Sequence, residues 1–103
     1  MKKHLLAFAV AVAACGGAFA QAGDTLAKVK ASGVLNMGVR DSSGALSYTL
    51  GDGKYAGFHV EVCQRIAAEV EKQAGRKIEV KYVPVTSQNR IPLVQNGTVD
   101  IEC

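Results

Sequence analysis

"GFHVEVCQRIAAEVEKQAGRKIEVKYVP", residues 57–84, decides the fold, because the spacing of its apolar residues changes once within it. Over Phe58–Ala74, Val62, Cys63, Ile66, Ala67, Val70 and Ala74 recur at three and four residues, while Glu61, Arg65, Glu69 and Lys72 fall on the other side. That is the period of an amphipathic helix, and Gly75 supplies the left-handed residue that ends one. Over residues 77–83, Ile78, Val80 and Tyr82 alternate with Glu79 and Lys81, which is the period of a strand; Pro84 closes it.

The same arithmetic extends in both directions. "GVLNMGV", residues 33–39, sets Leu35, Met37 and Val39 at period two and stops at the polar "RDSSG", so it reads as a first strand. "LSYTLGDGKYAGF" holds two short apolar pieces around Gly51, Asp52 and Gly53, which suit the tight turn of a hairpin. After Pro84, "TSQNRIPLVQNG" is expected to be a short helix. Ser87 or Asn89 is its expected cap, Pro92 lies in or near its first turn, and Gly97 is its stop. "TVDIEC" alternates again and begins a third strand. Strand, helix, strand, helix, strand predicts an α/β fold, a parallel sheet joined by crossovers.

Such a sheet also says where a ligand belongs: outside the carboxyl ends of its strands, in the loops that lead into helices. Arg40 directly follows the first strand, and Ser87 and Arg90 follow the second. Guanidinium groups recognise carboxylates and phosphates at two points, and a hydroxyl and free amides complete such a cradle. A cation at a helix start opposes the helix dipole unless an anion compensates, so Arg90 points to anion binding. Each residue also has a plainer role, Arg40 as a solvated strand end and Ser87 as a cap. His59 reads as a surface residue.

The N-terminus carries a different message. Lys2 and Lys3 precede the apolar "LLAFAVAVAA", and "AFA" at positions 18–20 is a small-x-small cleavage site. A signal peptide over residues 1–20 is expected, with the exported protein beginning at Gln21. A secondary reading takes "VAAC" as a lipoprotein box that makes Cys15 an acylated anchor. The whole chain of 103 residues has 12 Lys and Arg against 9 Asp and Glu. Without Lys2 and Lys3 that becomes 10 against 9, which gives no nucleic-acid footprint. No metal-ligand spacing, phosphate-binding glycine loop or nucleophile–base set is visible, so neither a cofactor nor catalysis is expected. Cys63 falls on the apolar side of the helix, and in an oxidising compartment Cys103 can pair with a cysteine beyond residue 103, its partner being left open by the sequence.

"GFHVEVCQRIAAEV" resembles the hairpin-to-helix motif of bacterial extracellular solute-binding proteins for polar amino acids, departing from it at His59. "VTSQNRIPLVQNGTVDIEC" and "GVRDSSGALSY" more specifically resemble the glutamate/aspartate-binding proteins of ABC importers. The resemblance implies a type II periplasmic-binding-protein fold of two lobes, of which residues 21–103 form the N-terminal part of lobe 1. It further implies a monomer that delivers L-glutamate or L-aspartate to ABC permease subunits. Arg40, Ser87 and Arg90 match positions that contact the ligand, chiefly its side-chain carboxylate, while contacts to the α-amino and α-carboxyl groups are expected downstream of Cys103. Leu46 stands where relatives often carry an aromatic. Cyclohexadienyl dehydratases and receptor sensor domains reuse the same scaffold and are the alternatives.

Overall fold

A computed structural model of the chain describes residues 24–103. The expected signal peptide, its cleavage after Ala20 and Cys15 lie outside the described residues. The elements are α1 (Thr25–Ser32), β1 (Val34–Val39), a 3₁₀ turn (Gly44–Leu46), β2 (Tyr48–Gly51), β3 (Lys54–Ala56), α2 (Phe58–Ala74), β4 (Glu79–Pro84), α3 (Arg90–Gln95) and β5 (Ile101–Glu102).

β1, β4 and β5 form one parallel sheet in the order β4-β1-β5. The chain leaves β1, crosses through α2 to β4 on one side, then passes through α3 to β5 on the other. β1 is therefore the central strand, and the register pairs Val39 with Pro84 and Gly38 with Glu102, so all three carboxyl ends lie at one edge. β2 and β3 form the expected antiparallel hairpin, with Asp52 and both flanking glycines at positive φ.

Leu35, Met37 and Val39 are buried, as their period required, and pack with Val29, Val60, Cys63, Ala67 and Ile78 into one core cluster. Each fully buried Val or Met in it contributes roughly 1.5–3 kcal/mol. Gly75 ends α2 at φ 66°, and its N–H donates to the carbonyls of Glu71 and Lys72.

Several local expectations are corrected. α1 has no counterpart in the sequence reading, although Asp24 caps it by accepting from Ala27 N at 3.0 Å and Gly33 ends it in the left-handed region. It is short, and Val29 alone is buried, so its apolar period is too sparse to see. In α2 the inward stripe is narrower than the apolar stripe: Val60, Cys63 and Ala67 are buried, but Val62 and Ile66 are 42% and 44% exposed. They flank a cavity instead of meeting the sheet.

Neither Ser87 nor Asn89 caps α3 with its side chain. Thr86 organises the turn before it. Its hydroxyl accepts from Asn89 N (3.2 Å), its carbonyl from Arg90 N (3.1 Å), and its N–H donates to Asn89 Oδ1 (2.7 Å). A three-residue turn over residues 87–89 intervenes, so the helix starts later than the polar run suggested.

Candidate functional site

Two loops converge on the edge where the parallel strands end, and the first carries Arg40. Its main chain is held by Ser47, a fully buried residue whose hydroxyl donates to Arg40 O at 2.7 Å and accepts from Arg40 N at 3.1 Å. Both backbone groups are thus satisfied where the strand ends, without a ladder partner. Gly57, at φ 125°, then lets the start of α2 approach the 3₁₀ turn; a Cβ on it would collide with the Leu46 carbonyl. The turn, the hairpin and the head of α2 are locked together around Arg40.

The second loop delivers Arg90 at the first residue of α3. α3 is only six residues long, so the free amides and dipole of its N-terminus add little, and the electrostatics rest on the guanidinium. Its counter-charge is internal. Arg90 Nη1 lies 3.1 Å from Glu102 Oε2 at the end of β5, with side chains 44% and 18% exposed. The anion that the sequence reading sought for Arg90 is thus supplied in part by the chain itself.

Arg40 and Arg90 line one cavity of about 590 Å³, together with Glu102, Leu46, Phe58, His59, Val62 and Ile66. Its walls are mostly apolar and its charged groups few, as in small-molecule sites generally. His59, read as a surface residue, stands exposed at this cavity, and Leu46 is 45% exposed in its wall. Ser87 is not part of it. It lines a neighbouring depression of about 300 Å³ with Asp41, Thr86 and Gln88, to which Arg40 also contributes. Of the three residues singled out from the sequence, the structure brings Arg40 and Arg90 together and sets Ser87 beside them.

Two features of the structure escaped the sequence reading. Cys103 is joined to Cys63 by a disulfide, so its partner lies within the chain and not beyond residue 103. The Cα atoms are 6.4 Å apart, within reach of a bridge. The two cysteines, one on the inner face of α2 and one at the end of a strand, gave no spacing signal; only the fold apposes them. The other feature is Asp100, whose side chain is 1% exposed and accepts from Lys28 Nζ (2.8 Å), Asn36 N (2.8 Å) and Asn36 Nδ2 (3.3 Å). It ties α1, β1 and the approach to β5 together. Tyr55 has its pKa raised, first by burial and then by the Asp41 carboxylate beside its hydroxyl. Among the described residues no group of three or more His, Cys, Asp or Glu is gathered as a metal site.

The comparisons with known proteins agree with this architecture. The chain is 40% identical over 99 residues to the glutamate/aspartate import solute-binding protein of Escherichia coli K12, covering 95% of this chain and 33% of that protein. It is 46% identical over 82 residues to the L-glutamate/L-aspartate-binding protein of Pseudomonas aeruginosa, covering 77% and 27%. It thus spans between a quarter and a third of the length of these relatives. Among solved structures it resembles an ancestral amino acid-binding protein, a precursor of cyclohexadienyl dehydratase, with TM-score 0.62 at 27% identity over 73% of this chain and 31% of that one. The parallel sheet is part of one lobe of the type II periplasmic-binding-protein fold. Residues 35–103 match the pattern of the bacterial extracellular solute-binding proteins, family 3, and the chain belongs to that family.

Proposed function

We propose that this chain is the N-terminal part of lobe 1 of the periplasmic substrate-binding component of an ABC importer for acidic amino acids, which delivers L-glutamate or L-aspartate to membrane permease subunits. The observation that carries this reading is the convergence of Arg40 and Arg90 on one largely apolar cavity at the carboxyl ends of the strands. The apolar wall suits the methylenes of the ligand, and the guanidinium groups suit its side-chain carboxylate. Ser87, just outside the cavity, joins them as a hydroxyl contact when the ligand is enclosed. The names of the relatives from Escherichia coli and Pseudomonas aeruginosa support the acidic class. Export with cleavage after Ala20 and a monomeric full-length protein complete the reading.

Binding without catalysis fits the cavity better than a dehydratase does. Among the described residues, the one carboxylate lining it, Glu102, is engaged by Arg90 and so is poorly placed as a general base. Calorimetric titration of the full-length protein with glutamate, aspartate, glutamine and arginine tests the proposal. Binding of glutamate or aspartate at least tenfold tighter than glutamine is expected. Tightest binding of a neutral or cationic amino acid would overturn it.

A further inference from the structure

The Arg90–Glu102 pair goes beyond what recognition of a carboxylate requires. Glu102 is the more buried partner and is fixed from below: its Cγ lies 3.4 Å from where a Cβ on Gly38 would stand, so its stem rests on the bare central strand. Arg90 is the projecting partner, a long side chain on the first residue of a two-turn helix. Unheld, it would spread over many rotamers. The contact uses one terminal nitrogen of the guanidinium, and the fork keeps further N–H donors for a second carboxylate. The charge count is equally specific. Among the described residues, the Arg and Glu side chains that line the cavity, Arg40, Arg90 and Glu102, sum to +1, which one carboxylate neutralises and a dianionic group oversteps.

Resting on the acidic-amino-acid reading of this site, we infer that Glu102 is a positioning and specificity-determining residue. It presents Arg90 to the ligand and limits the cavity to a singly charged anionic group. Its role is distinct from that of a competitor that ligand must displace, because Arg90 serves both carboxylates at once.

The test is a double-mutant cycle in the full-length protein, titrated with glutamate and with a phosphonate analogue of glutamate. Glu102→Gln is expected to weaken glutamate about tenfold, Glu102→Asp less, and Glu102→Gln in an Arg90→Ala background less than about twofold. The preference for glutamate over the phosphonate should narrow about fivefold or more in Glu102→Gln, since the cavity then carries one more positive charge. Independently of ligand, nitrogen-15 spectra of the arginine side chains should show slowed rotation of the Arg90 guanidinium in the wild type and its loss in Glu102→Gln. Tighter glutamate binding by Glu102→Gln, equal losses in both backgrounds, or an Arg90 signal indifferent to Glu102 would overturn the inference. A wild type that binds no acidic amino acid would end the functional reading, while the Arg90 spectrum would still decide whether Glu102 holds Arg90.

Discussion

The buried hydroxyl of Ser47 closes both backbone hydrogen bonds of Arg40, at 2.7 and 3.1 Å, so the position of a proposed ligand contact depends on a side chain seven residues away. Ser47→Ala removes the donor and the acceptor together and leaves a part-buried N–H and C=O unpaired. A loss of about 1–3 kcal/mol is expected. Urea unfolding of the full-length protein measures it, and glutamate affinity should fall as Arg40 loosens. An unchanged midpoint would show that Arg40 finds other partners.

Lys28 and Asp100 make an asymmetric pair, with side chains 49% and 1% exposed. Lys28→Met leaves a buried carboxylate without its cation and is expected to cost about 3 kcal/mol. Adding Asp100→Leu should recover part of that, because the uncompensated charge is gone. Chemical denaturation of the wild type and the two variants decides this. A double variant no better than Lys28→Met would mean that the hydrogen bonds to Asn36 matter more than the charge.

The Cys63–Cys103 bridge spans a sequence separation of 40. The chain-entropy relation then assigns it about 4 kcal/mol, toward the upper end of the usual range. Reduction, or Cys63→Ser with Cys103→Ser, should lower stability by about 2–4 kcal/mol. It should also weaken ligand binding, because the end of β5, which carries Glu102, loses its tie to α2. Equal denaturation curves with and without reductant would contradict this.

Tyr55 gives the pH prediction. Its folded pKa is raised, so the neutral phenol is favoured in the native state. The stability contributed is fully present below the unfolded value of about 10 and is lost as pH rises through the higher folded value. Asp41→Asn should move the Tyr55 titration back toward the ordinary range, read from its ring carbon shifts between neutral and alkaline pH. An unmoved titration would assign the shift to burial alone.

What the sequence revealed follows from how local each cause is. The period change between Phe58–Ala74 and the residues after it is written in consecutive residues, and so is the Gly75 stop, so α2 and β4 were legible. The strand ends that place Arg40 and Arg90 at one edge followed from the crossover rule. By contrast, the Cys63–Cys103 bridge, the Arg90–Glu102 pair and the Lys28–Asp100 pair join residues 40, 12 and 72 positions apart. Each exists only once the sheet order is known. Thr86, Ser87 and Asn89 are all capping types, and only backbone geometry chooses among them. Val62 and Ile66 show the same limit from the other side: period says which face is apolar, not whether the sheet or a cavity meets it.

The central claim, that Arg40 and Arg90 form a receptor for a side-chain carboxylate, is tested most directly by titrating wild-type and Arg90→Ala full-length protein with glutamate and glutamine. A charge-assisted hydrogen bond is worth about 1.5–3 kcal/mol, so Arg90→Ala should weaken glutamate about ten- to a hundredfold and glutamine much less. The gap between the two ligands should narrow accordingly. Equal losses for both ligands, or a wild type that prefers glutamine, would contradict the account.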